Sequence, residues 1–189
     1  IQQKTSGFLA PNKFLNMITK DQQKWLDHLS YTDKIIIKPF DPKSHEIFKE
    51  AKNKVIKALG KVKVLERGAS YLKISGQDEI DIYVPTPPKN FNKYVEKMTK
   101  AFGKPGSNYP LIRARFRISG YQKHVDVFVI NQMDKGWTDS EAFTRYLRTH
   151  NKALGEYRKL KEDGNGLSMK EYYTKKTIFI NKILKYVKI

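Results

Sequence analysis

Two carboxylates two residues apart, Glu79 and Asp81, lie in the run Glu79-Ile80-Asp81-Ile82-Tyr83-Val84, whose β-branched and aromatic content reads as a strand. Successive strand side chains point to opposite faces, so both acids share one face while Ile80, Ile82 and Val84 turn to a core. Acids fixed side by side repel each other, and a divalent cation that favours oxygen ligands, Mg²⁺ or Mn²⁺, relieves this. Just upstream, Gly68-Ala69-Ser70 forms a turn. Free backbone N–H groups in such a turn suit the phosphates of a nucleoside triphosphate, and the Ser70 hydroxyl and Lys73 ammonium would add to them. A third acid, Asp126, interrupts the apolar run His124-Val125-Asp126-Val127-Phe128-Val129-Ile130. A buried lone carboxylate is costly and needs a partner, a metal or a proton. If these two strands are neighbours, Glu79, Asp81 and Asp126 converge. That set can hold two metals about 3.5–4 Å apart for in-line phosphoryl transfer. One metal would bridge triphosphate oxygens through Glu79 and Asp81. The other would activate an acceptor hydroxyl through Asp81 and Asp126, with Asp126 a candidate general base.

Each feature also has a plainer reading. The three acids could pair with lysines on a polar strand face, Gly68 to Ser70 could be an ordinary turn, and Lys73 a solvated loop lysine. Arg113, Arg115 and Arg117 alternate along one strand and share a face. They suit either bidentate phosphate contacts or a solvated sheet surface. His124 shares the face of Asp126 and reads as a satisfied structural histidine. Tyr172 and Tyr173 read as core or rim.

The elements that must position these groups follow from periodicity and end signals. Residues 1–18 read as a leader or linker. Thr19 and Gln22 form a capping box for a helix over 20–30. Ile35-Ile36-Ile37 reads as a strand. A helix from Asp41-Pro42 carries Ile47, Phe48, Ala51, Val55, Ile56 and Leu59 at helical spacing and ends at Gly60. Strands are expected at 62–66, 79–84, 111–118 and 123–130, the last two joined through Ser119-Gly120-Tyr121-Gln122. A loop is expected over 67–77 and a helix over 89–102. C-terminal helices are expected at about 139–149, 152–162 and 169–187. Thr138 with Glu141 and Ser168 with Glu171 supply capping boxes. The order predicts an α+β fold, a small mixed or antiparallel sheet backed by helices with a helical C-terminal section.

The chain has 189 residues, enough for one domain with an N-terminal extension. Its formal net charge is +18, which favours polyanionic partners such as nucleotides and RNA. Of the 37 basic residues 30 are lysine and only 7 arginine, so scattered solvation accounts for part of that charge. The absence of cysteine excludes disulfides and zinc–thiolate sites. No run is apolar enough to span a bilayer and no signal peptide is visible, so a cytoplasmic location without membrane contact is expected. The chain opens at Ile1 rather than Met, as a fragment or processed chain would. The phosphate loop, the His-Glu-x-x-His motif and the dinucleotide fingerprint are all missing.

The Gly-turn, acid-x-acid strand and third acid resemble the polymerase-beta-like nucleotidyltransferase superfamily. Over residues 34–187 the chain resembles its GrpB family. Ile35 to Pro42 and the helix bearing Phe48 are similar to that family's opening. Phe143 to Asn151, Glu156 to Lys161, Tyr173 to Lys176 and Phe179-Ile180 are similar to its tail, and Arg145 and Arg148 match arginines there. The resemblance implies an extension over 1–33 and a nucleotidyltransferase-like domain over 34–189. It implies Gly68, Ala69, Ser70 and Lys73 on the nucleotide, and Glu79, Asp81 and Asp126 as catalytic metal ligands. The expected activity is transfer of a nucleoside monophosphate from NTP to a hydroxyl, RNA among the candidates, with release of pyrophosphate. The alternatives are a basic nucleic-acid-binding module and an inactive nucleotide-binding GrpB-like protein. The chain departs from the family at the site. Ala69 stands where the superfamily usually has Ser, Glu79 adds an acid, and Asp126 stands where GrpB proteins tend to have His. The last two departures lie in the direction of the active transferases. The motif alone is also similar to archaeal tRNA CCA-adding enzymes.

Overall fold

The computed structural model describes residues 17–187, so most of the expected leader over 1–18 lies outside the described residues. The chain folds as α1 (Lys20–Asp27), α2 (Ser44–Leu59), β1 (Leu65–Arg67), α3 (Gly68–Leu72), β2 (Glu79–Thr86), α4 (Phe91–Phe102), β3 (Ser107–Tyr109), β4 (Arg113–Ile118), β5 (His124–Asn131), α5 (Lys135–Thr149), α6 (Asn151–Glu162) and α7 (Met169–Val187). This is the expected α+β layout with its helical C-terminal section.

Five strands form one mixed sheet in the order β1-β2-β5-β4-β3. β2 and β5 run parallel at its centre and every other pair is antiparallel. The alternation in the central strands separates two faces. Ile80, Ile82, Val84, Ala114, Phe116, Ile118, Val125, Val127 and Val129 are buried with Phe48, Ala51, Val55 and Leu59 of α2 and Phe91 and Met98 of α4. Each such fully buried aliphatic side chain contributes roughly 1.5–3 kcal/mol, so this layer fixes the register of β2 and β5. A slip of one residue would bury Glu79, Asp81 and Asp126 in it. A second core cluster, with Phe143, Leu147, Ala153, Tyr157, Ile183 and Leu184, ties α5, α6 and α7 together beside Ile74 of the loop before β2.

The triple isoleucine is not a strand. Only isolated bridges are made, Lys34 with Ser168 and Lys38 with Gly76. Ile35 is buried, bonding to the backbone of Gly166 and Leu167, while Ile36 is 66% exposed. Two loops, rather than a neighbouring strand, satisfy this segment. The strand expected at 62–66 shortens to the edge strand β1, and Val62 and Val64 pack into the core from irregular backbone. The expected loop at 67–77 contains α3, which Lys73 closes in a left-handed conformation (φ 56°). The Thr19–Gln22 and Ser168–Glu171 boxes form. The Thr138–Glu141 box does not: α5 starts earlier, where the Asp134 carboxylate accepts the Gly136 N–H, leaving Glu141 to pair with Arg67. Among the described residues no helix is long and apolar enough to cross a membrane.

Candidate functional site

The parallel pairing of β2 with β5 sets Glu79 opposite His124, Asp81 opposite Asp126 and Tyr83 opposite Phe128. Neighbouring strands lie about 4.8 Å apart, so the two aspartates stand side by side on the face away from α2 and α4. β4 adds Arg117 opposite Asp126 and Arg115 opposite Phe128. The result is a polar cleft of about 450 Å³. Its floor is Glu79, Asp81, Asp126, Arg113 and Arg115. The C-terminal helices supply Tyr157, Lys161, Tyr173 and Lys176, and Trp25 and Tyr109 stand at its walls.

Asp126 is 5% exposed and already partnered. Arg117 forks onto it, Nε at 2.9 Å from Oδ1 and Nη2 at 3.1 Å from Oδ2, and Arg115 Nη1 lies 3.7 Å from Oδ2. A bidentate guanidinium–carboxylate pair satisfies both oxygens of the acid. The Asp126 bond in turn holds the Arg117 guanidinium above its already high ordinary pKa.

Among the described residues Asp81 has no such partner within hydrogen-bond reach. Burial pushes its carboxyl up to about 6; the Glu79 charge and, more weakly, Asp126 push the same way, while Lys176 and Lys161 oppose them. Gly68 opens α3 against this carboxylate with φ +75°, and a Cβ there would lie 2.2 Å from Asp81 Oδ2. Only glycine lets the chain approach so closely.

Lys161 and Lys176 come from the helical wall. Lys161 is 5% exposed, its ammonium donating to the Tyr172 hydroxyl at 3.4 Å and lying 5.4 Å from the Tyr157 ring centroid. Burial, helped by repulsion from Lys176, pushes it down to about 7, against the pull of Asp81 and Glu79. Burial would push Lys176 down as well, but Tyr157, Tyr172, Tyr173 and Asp81 outweigh it and hold the ammonium above its ordinary range. Its Nζ lies 5.2 Å from the centroid of Tyr173. Arg113 sits between the rings of Tyr109 and Phe128, 5.5 and 5.6 Å from their centroids.

The cleft thus brings together Glu79, Asp81, Asp126, Gly68 and Ala69, but not Ser70 or Lys73. Ser70 is buried, its hydroxyl donating weakly to the Arg67 carbonyl. Lys73 faces a separate pocket with Tyr71 and Arg148, where Arg148 donates to the Tyr71 hydroxyl at 2.7 Å. Among the described residues no three His, Cys, Asp or Glu side chains form a group that could hold a metal ion. Asp126, engaged by two arginines, does not complete the donor set, so the present arrangement does not fit a two-metal centre.

Sequence reading missed Lys161, Lys176, Trp25 and Tyr109. For the lysines a signal was present. Ala153, Tyr157 and Lys161 recur every four residues on α6, as do Tyr172, Lys176, Ile180 and Leu184 on α7. A lysine on an apolar helical stripe faces inward.

An α+β fold with this sheet order and an acid-bearing central strand pair is a nucleotidyltransferase-like architecture. The model of the GrpB protein family matches residues 34–186, and the chain belongs to that family, one of the nucleotidyltransferase-like superfamily. The fold is similar to the crystal structure of the conserved protein GrpB from Enterococcus faecalis. The TM-score is 0.60 at 18% sequence identity, covering 80% of this chain and 98% of that one. No curated protein matches the sequence.

Proposed function

We propose that the cleft binds a nucleoside phosphate such as ATP, and that Lys161, Lys176, Arg113 and Arg115 receive its phosphates directly. The observation that carries this reading is the convergence of four cations with aromatic walls on one cleft. Of the acids beneath them, Asp126 is paired with Arg117, and burial pushes the Asp81 carboxyl up to about 6. Side-chain cations in a partly dehydrated cleft bind phosphate more strongly than the same groups in water. The reading is tested by calorimetric titration of ATP and of inorganic tripolyphosphate, in EDTA and in Mg²⁺. Binding in EDTA is expected, and Lys176→Met should weaken both ligands roughly tenfold or more, the loss of a charged hydrogen bond being about 1.5–3 kcal/mol. Binding that requires Mg²⁺ and ignores Lys176→Met would contradict it.

A second reading, nucleotidyl transfer to a hydroxyl, is favoured by the direct apposition of Asp81 and Asp126 beside Glu79. A carboxyl titrating near 6 suits a general base. The acceptor oxygen would attack the α-phosphorus, its proton passing to Asp81 as the bond to pyrophosphate breaks. Pyrophosphate release, assayed with Mg²⁺ or Mn²⁺ and with total RNA as acceptor, tests it. Release lost in Asp81→Asn would support transfer, and ATP binding without release would leave a nucleotide-binding protein.

A further inference from the structure

α1 lies outside the residues matched by the family model, yet it reaches the cleft through one side chain. Other side chains of the helix also hold it. Leu26 is 1% exposed, Gln22 Nε2 donates to Asn181 Oδ1 at 3.2 Å, and Lys170 donates to Asp27 at 2.9 Å. Trp25 beside them remains 45% exposed, its indole edge-on to Tyr173 with centroids 5.5 Å apart.

Tyr173 itself is spent as a platform. Lys176 lies over its ring, Tyr172 meets it edge-on at 5.1 Å, and its hydroxyl donates to Gln77 at 3.2 Å. Trp25 and Tyr109, which is 50% exposed, are the half-open rings at the cleft; Tyr109 has the Arg113 guanidinium over it, whereas among the described residues no cation lies over the larger indole of Trp25. The chain's other tryptophan, Trp137, is 7% exposed and packs against Tyr83.

We propose that Trp25 is the base-stacking, specificity-determining residue of the cleft: the nucleobase of the bound nucleoside phosphate stacks on its indole while the cations hold the phosphates. This rests on the nucleoside-phosphate reading above. Stacking accepts every base, and a ring face reads area rather than hydrogen-bonding edges. The site should therefore prefer purine over pyrimidine nucleotides without choosing sharply between adenine and guanine.

The test compares ATP, GTP, CTP, UTP and tripolyphosphate on wild type, Trp25→Ala and Trp25→Phe, by calorimetry and tryptophan fluorescence. ATP should quench the wild-type emission. Trp25→Ala should bind ATP roughly ten- to hundred-fold more weakly and tripolyphosphate as wild type does. Trp25→Phe keeps a ring on Tyr173 and should recover most of the ATP affinity while losing the quench, which separates stacking from a disturbed α1. Equal ATP affinity in Trp25→Ala and wild type would overturn the inference and leave the phosphate site standing. Failure of wild type to bind either ATP or tripolyphosphate would overturn the phosphate site, and the inference with it.

Discussion

Asp81→Asn is expected to make the protein more stable and its nucleotide binding tighter at the same time. The stability effect follows from linkage. The folded-state pKa of Asp81 is about 6 against an ordinary 3.8, so the native state holds a proton that the unfolded chain gives up. Wild-type stability therefore falls as pH rises from about 4 to 6, and the deficit persists above that window. At 1.36 kcal/mol per unit the shift amounts to about 2–3 kcal/mol at pH 7. Asparagine keeps the shape and removes the charge, so the variant should match wild type below pH 4 and exceed it by about that much at pH 7. Denaturant melts at pH 3.5, 5 and 7 read this directly. The binding effect follows from the same charge. An anion at the cleft floor repels phosphate, and its removal should tighten ATP binding severalfold at pH 7–8. For the same reason wild-type affinity should rise as pH falls through 7, where Lys161 gains a proton, and again through 6, where Asp81 gains one. Asp81→Asn should retain the first of these steps and lack the second. A metal held by Asp81 predicts the reverse, loss of ATP binding in Asp81→Asn. One variant thus separates the two ways of neutralising phosphate.

Gly68→Ala is expected to be among the most damaging single-methyl changes in the chain. The added Cβ would fall 2.2 Å from Asp81 Oδ2 and 3.1 Å from its Cγ, and the backbone at φ +75° strains any L side chain. The strand itself cannot shift to make room, because Ile80 and Ile82 on either side of Asp81 are wholly buried, so relief requires the carboxylate to rotate from its place at the cleft floor. The positive φ alone costs about 1–2 kcal/mol, and the contact adds to it, so a loss of about 3 kcal/mol is expected. The same change pushes α3 off β2, so nucleotide affinity should fall as well. Gly60→Ala is the control. Its φ is +87°, but a Cβ there meets nothing within 4 Å, so it should cost only the backbone strain. Equal losses for the two variants, measured by urea unfolding, would contradict a role for the Asp81 contact.

Much of the cleft could be read from period-two alternation. Glu79 and Asp81 on one face, with Ile80, Ile82 and Val84 on the other, need only a strand, and the apolar content of 124–130 names its neighbour. The partner of Asp126 was harder to see. Arg117 was legible as one of three alternating arginines, but its place opposite Asp126 depends on the β4–β5 register. Hairpin turn geometry sets that register, and composition does not report it. Lys161 and Lys176 were masked by abundance, since in a chain with 30 lysines only their position on an apolar stripe marks them. The triple isoleucine misled because β-branched content reports an extended backbone and not what pairs with it. Ser70 misled because the turn around it closes into a helix, which turns the hydroxyl inward.

The most direct test of the central claim is a crystal structure of the full chain with a non-hydrolysable ATP analogue, grown in EDTA. Phosphates on Lys161, Lys176, Arg113 and Arg115, with the Arg117–Asp126 fork intact, are the predicted result. A nucleotide seated elsewhere, in the pocket beside Arg148 for instance, would contradict it. So would a nucleotide that enters the cleft only once Mg²⁺ is supplied and Asp126 has left Arg117 to bind the ion.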